Sequence, residues 1–254
     1  MPRRPAARYR GGLMAIKRPS SLRGAWQQVS SDASSPGTNR APLPVMPEID
    51  VQLTRIFALV GEAIAGATHS LLTGDREAAK LIVAADEQVD ELTHEASIIV
   101  QESLIGPGRT ADERRQLIAV LRMLPELERN GDLAEHIARR AARGLGQEIT
   151  PRARGLIERM GEVATTIWRH TADVVADRSP TGAAAVEDLD DELDDLHVTL
   201  VAEVVSGSMP VPVAIEVAMV ARFYERFGDH AVNLARRMSI FSGHPVEPRS
   251  AGAD

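Results

Sequence analysis

The chain has 254 residues, of which 44% are hydrophobic, 26% charged and 3% aromatic, and it contains no cysteine. That length suffices for one large or two small domains with a real core, and the missing thiols exclude disulfides and thiolate metal sites, so any metal must take oxygen or imidazole ligands. Charge is divided unevenly: residues 1–46 hold eight of the 29 Lys+Arg and one of the 36 Asp+Glu, net +7, while the remainder holds 21 against 35, net −14. An acidic body argues against nucleic acid as the main ligand, because neutralising phosphates needs a basic face.

Residues 1–46 are rich in Pro, Ser, Gly and Arg without apolar periodicity, which predicts a disordered basic tail. It has no apolar h-region and so does not read as a secretory signal. Met14 is an alternative start, and the positive arm suits peripheral contact with anionic lipid or an acidic partner. No apolar run approaches the ~20 residues needed to span a bilayer.

From Ile49 to Leu72 apolar residues recur at Leu53, Ile56, Val60, Ile64, Ala67 and Leu71, the spacing of an amphipathic helix. Thr73, Gly74 and Asp75 end it and cap the next. The second helix carries Ala78, Ile82, Ala85, Val89, Leu92, Ala96 and Ile99 in steps of four and three, a coiled-coil-like seam, and stops before Gly106, Pro107 and Gly108. The third starts near Thr110 to Asp112, carries Leu117, Val120, Leu124, Leu127, Gly131, Ala134, Ala138 and Ala141, and ends at Gly144. Pro125 within it removes one backbone hydrogen bond and predicts a kink. Helices then follow from Pro151 to about Asp177, after the break Arg178 to Gly182 as far as about Val205, and after the turn Ser206 to Pro212 as far as about Ser239. The tail after them, 242–254, has Gly and Pro and should fray.

The last three helices repeat the first three. LERNGDLAEHIARRA (Leu127 to Ala141) returns as YERFGDHAVNLARRM (Tyr224 to Met238) at an offset of 97 residues. A shift of 104 lays Ala85, Val89, Leu92 and Ala96 on Leu189, Leu193, Leu196 and Leu200, so the difference of seven falls in the loop at Gly106 to Gly108. The predicted fold is all-α: two tandem three-helix units of long antiparallel helices, over 47–146 and 147–241, related by a pseudo-two-fold.

Each unit carries two acid pairs at i, i+4: Asp86 with Asp90 and Glu128 with Asp132, then Asp190 with Asp194 and Glu225 with Asp229. Like charges so placed repel by a few tenths of a kcal/mol, so something should compensate. Every one of the eight follows a seam residue directly, which lets the second and third helices of each unit turn both pairs toward one edge. Four carboxylates from two helices would suit a hard divalent or ferric ion, Mg²⁺, Mn²⁺, Ca²⁺ or iron, with Zn²⁺ also within range and with His136 or Asn233 as extra ligands one turn on. Gly131 and Gly228 would let the helices approach closely. Against this, an acid pair on a helix with so many charges is commonly a solvated face, and an ion pair with neighbouring acids accounts for Arg129 and Arg226. Trp168 and Trp26 read as packing or tail residues.

A carboxylate-bridged di-metal enzyme is the competing class, but Glu91 and His94 supply one Glu-x-x-His, two are needed, and Val198 stands where His94 should repeat. No nucleophile elbow, P-loop or Rossmann glycine pattern occurs. No catalytic or organic cofactor-binding residues are therefore assigned, and the chain reads as a non-enzyme.

At ERNGD and ERFGDHAVNLARR the chain resembles the PhoU family of phosphate-signalling proteins, whose two three-helix units each carry a Glu-Arg-x-Gly-Asp stretch. The likeness covers about Ile49 to Met238. Asn130 stands where the family usually has an apolar residue, and the basic extension is not a usual family feature. The resemblance implies a cytoplasmic negative regulator of the phosphate-starvation response, a homodimer, which couples a phosphate ABC transporter ATPase to a sensor histidine kinase by protein binding, with no membrane span. It also implies multinuclear metal clusters at the acid motifs, carried here to Asp86, Asp90, Glu128, Asp132, Asp190, Asp194, Glu225 and Asp229.

Overall fold

Helix α1 (Pro47–Thr73) stops at Gly74, whose backbone turns left-handed at φ 73°. Asp75 then caps α2 (Arg76–Ile105) by accepting a hydrogen bond from Ala78 N at 3.0 Å. Thr110 and Glu113 form a reciprocal capping box at the start of α3 (Ala111–Arg143), which ends at a left-handed Gly144. These are the stops and starts that the sequence predicts. A short 3₁₀ turn, Leu145–Gln147, leads to α4 (Pro151–Asp177), α5 (Ala183–Val205) and α6 (Val211–Phe241). The computed structural model describes residues 47–177, 179 and 182–241; the expected tails 1–46 and 242–254, with Met14 and Trp26, lie outside them.

The chain forms two three-helix bundles, α1–α3 and α4–α6, that share one core. Contact between them runs through α1 with α4 and α3 with α6, so these four are inner helices, while α2 and α5 pack chiefly within their own bundle. That position corrects the expected seam of α2. Val89, Leu92 and Ala96 are buried, but Ile82 is half-buried and Ala85 exposed, because an outer helix needs to bury only a narrow stripe. The helix α3 continues through Pro125, which is exposed.

Helix α1 is long and apolar enough, by length and composition, to cross a membrane. The expectation that no stretch approaches such a span therefore needs correcting. Here its apolar side chains, Ile49, Ile56, Val60, Ile64 and Leu71 among them, enter the shared core. The core is tied across the bundles by Trp168, which stacks on Phe57 and Phe227 and donates from Nε1 to Phe57 O at 2.8 Å. Thr68 Oγ1 donates to Ile64 O at 2.8 Å, so the fully buried Tyr224 hydroxyl must donate to Thr68 Oγ1 at 2.7 Å.

Candidate metal centres between the outer and inner helices

Each outer helix meets an inner one at a glycine. A methyl group added at Gly131 would lie 3.1 Å from Asp86 Oδ1 and 3.2 Å from Val89 Cγ1; added at Gly228, it would press on Asp190 Oδ1 and lie 2.9 Å from Leu193 Cδ2. The glycine of each Glu-Arg-x-Gly-Asp stretch thus lets an aspartate of the outer helix lie against the backbone of the inner one. Gly131 and Gly228 do what the sequence expects of them.

In the first bundle Asp86, Asp90 and Asp132 gather so that one carboxylate oxygen of each lies within 4.8 Å of the others. Among the described residues no other group of three possible metal ligands is this tight. Glu128, the fourth expected member, is exposed and stands outside the group. Burial pushes Asp86 up to about 7, with help from the like charges of Glu135, Asp132 and Asp90 and opposition from Arg139. Burial and then the charge of Asp90 raise both Asp132 and Glu128.

The second bundle repeats the electrostatics with a looser geometry. Burial and then Asp194, Asp229, Asp191 and Glu225 push Asp190 up to about 7. Asp194 and Glu225 are raised by burial first and by Asp229 next. Asp190, Asp194, Glu225 and Asp229 do not close to the spacing of the first group, and Glu225 is held by an ion pair with Arg222 one turn before it. Asp190 Oδ1 and Glu225 Oε2 are nonetheless buried with no hydrogen-bond partner among the described residues. Unpartnered buried carboxylate oxygens are costly. A cation would relieve that cost.

These donors fit a hard ion: they are carboxylates, crowded and partly dried, and in the second bundle two of their oxygens lack hydrogen-bond partners among the described residues. The expected extra ligands do not join them. His136 Nδ1 lies 2.7 Å from Asp132 O, and its ring packs edge-on against Phe223 of α6; Asn233 is exposed. Arg129 pairs with Glu126 at 3.5 Å, and its charge also opposes the rise of Glu128. Asn130 is fully buried and donates to Phe227 O at 3.3 Å, so it faces the other bundle and not the acids.

Two residues escape the repeat argument. Glu135, buried and paired with Arg139 at 2.5 Å, is the strongest like charge on Asp86. It follows the seam residue Ala134 as the other acids follow theirs, but Val232 occupies its place in the second unit, so a search for repeated acids passes it by. His197, whose charge opposes the rise of Asp194 and Glu225, stands where the first unit has Thr93.

Two glycine-locked bundles with an acid cluster at each outer-inner helix junction define a class of tandem three-helix proteins. The chain matches the model of the PhoU domain twice, over residues 53–141 and 157–238, and it belongs to the PhoU family. It is 33% identical over 196 residues to "Phosphate-specific transport system accessory protein PhoU homolog 2" of Mycobacterium tuberculosis, covering 75% of this chain and 91% of the relative. It is 27% identical over 189 residues to the PhoU homolog of Rhizobium meliloti, covering 72% and 79%. Among solved structures, PhoU of Pseudomonas aeruginosa superposes with a TM-score of 0.72 at 23% identity, covering 77% of this chain and 96% of that one. The phosphate transport system regulatory protein PhoU of Streptococcus pneumoniae gives 0.71 at 20% identity, covering 79% and 97%. The chain is thus a PhoU homolog, of the accessory and regulatory class of phosphate transport proteins.

Proposed function

We propose that this protein represses the phosphate-starvation response in the cytoplasm when phosphate is plentiful, by binding both a sensor histidine kinase and the ATPase of a phosphate ABC transporter, rather than by catalysis. The observation that carries the reading is the doubled PhoU domain, shared over most of the chain with relatives named as accessory proteins of phosphate-specific transport. A surface read by a partner must keep one shape, and the acids at each helix junction work against that by repelling one another. Asp86, Asp90 and Asp132 would hold a metal ion in the first bundle, with Glu128 at its edge. Asp190, Asp194, Glu225 and Asp229 would hold one in the second. When bound, the ion supplies positive charge that offsets the repulsion and ties the outer helix to the inner one. Gly131 and Gly228 set the helix spacing, while Arg139 and Arg222 partly neutralise the acids around them.

Deleting the gene should leave phosphate-starvation genes expressed in phosphate-rich medium, as read by transcript levels. A D190N/E225Q/D229N variant, folded and as abundant as the wild type, should fail to restore repression. Normal repression in the deletion strain would end the regulatory reading.

A further inference from the structure

The groove between α2 and α3 does not stay acidic. Less than two turns of α2 before Asp86, a cavity of about 320 Å³ is lined by Lys80, Val83, Ala84, Arg139, Ala142 and Arg143. Its titratable lining is wholly cationic, on a body whose net charge is −14 outside residues 1–46. Arg76 adds a further cation at the same end, its Nε donating to Ala142 O at 2.8 Å. Lys80 is paired with Glu77 in an exposed contact that a partner's carboxylate can replace at little cost. Arg139 is held by Glu135, but Arg143 makes no ion pair among the described residues.

The second bundle supplies an internal comparison. A shift of 104 places Ala184, Glu187 and Asp188 where the first has Lys80, Val83 and Ala84, and a shift of 97 places Arg236 on Arg139. There Glu187 Oε1 meets Arg236 Nε at 2.6 Å. In the second bundle the outer helix thus sets an acid against the inner-helix arginine. In the first it sets Lys80 and two apolar side chains there and leaves Arg139 to Glu135 of its own helix, to which the exposed Arg143 adds a further cation. Stabilising the end of α3 does not require this difference, because the second junction lacks it.

We infer that this groove of the first bundle docks an acidic segment of a partner protein, one whose Asp or Glu side chains flank an aliphatic residue; the inference rests on the regulatory reading above. The aliphatic side chain would enter between Val83, Ala84 and Ala142 while the carboxylates meet Lys80 and Arg143. Free phosphate fits less well, since it gains nothing from the apolar lining. A flat anionic membrane fits less well too, because a layer of headgroups does not send a side chain down between Val83, Ala84 and Ala142.

The test places the photo-crosslinking residue benzoylphenylalanine at Ala84 of the full chain, in cells grown with ample phosphate. Irradiated adducts are then sequenced. The expected product is a peptide of a partner in which acidic residues flank an aliphatic one. The adduct should fall at least tenfold in K80E/R143E and return when the partner's acids are changed to Lys. K80Q/R143Q, with a helical circular dichroism spectrum like that of the parent, should also reduce it, which separates lost charge from lost fold. An adduct to phospholipid, to a segment without acids, or to nothing overturns the proposal. So does an adduct unchanged in either variant. If K80E/R143E represses starvation genes normally while the deletion strain does not, the groove is wrong and the regulatory reading stands. If the deletion strain itself represses normally, the regulatory reading is what fails.

Discussion

Asp86 and Asp190 sit at matching places in the two bundles, and each is held near 7 against an ordinary 3.8. Below 3.8 the aspartate is protonated whether the chain is folded or not. Between that value and about 7 the folded chain keeps a proton that the unfolded chain releases, so the stability present at low pH is lost as pH rises through this window. Metal-free D86N/D190N should therefore gain in Tm over the metal-free wild type as pH rises from about 3.8 to about 7, with little difference at the acid end and no further gain above about 7. Parallel Tm curves for the two would mean that these carboxylates are not strained. At this scale the sequence tells which acids come together better than it tells their partners. Asp86, Asp90 and Asp132 are legible because they recur after seam residues. Glu135 is not, because its counterpart is Val232; a rule that counts position alone would have included it.

The relation between two helices depends on what lies at their closest approach. Replacing glycine by alanine inside a helix gains roughly 1 kcal/mol of propensity, whereas forcing an atom into a packed contact costs about 1–3 kcal/mol. At Gly131 the new methyl would meet side-chain atoms at 3.1 and 3.2 Å, which would have to give by only a few tenths of an ångström. At Gly228 it would run into the Asp190 carboxylate and Leu193. Urea denaturation should show G131A close to neutral and G228A destabilised by about 1–2 kcal/mol. Equal effects would show that the two junctions are not packed as described. Helix limits were the most legible feature of all: Gly74, Asp75, Thr110, Gly144 and Pro151 stand where the backbone turns or starts. The seam of α2 was less so, because periodicity shows that a helix has an apolar face but not how much of it a neighbour covers. Ala85 and Ile82 continue the pattern on a helix with only one bundle to pack on.

Over the whole molecule, the repeat foretells two bundles but not how they join. Glu126 of α3 is buried, 2.6 Å from His230 Nδ1 and 3.1 Å from Arg237 of α6. The pseudo-symmetric place, at a shift of 97, is Phe223, with the Arg140 guanidinium 4.6 Å from its ring centre. One contact is an ion pair and the other a cation–π contact, so a reading that looks only for identical residues misses both. Asn130 belongs to the same interface, and its departure from the family pattern concerns the joint between bundles rather than the acids. With the bundles joined in this way, each acid cluster lies between an inner helix that belongs to the shared core and an outer helix that does not. Metal content is accordingly the most direct test of whether these clusters do what their chemistry allows. Mass spectrometry of the purified full-length protein should find bound divalent or ferric ion. D86N/D90N/D132N, folded by circular dichroism, should lose a large share of it, and the ion left should belong to the second bundle. A wild type without metal, or a triple variant with metal content unchanged, would contradict the account.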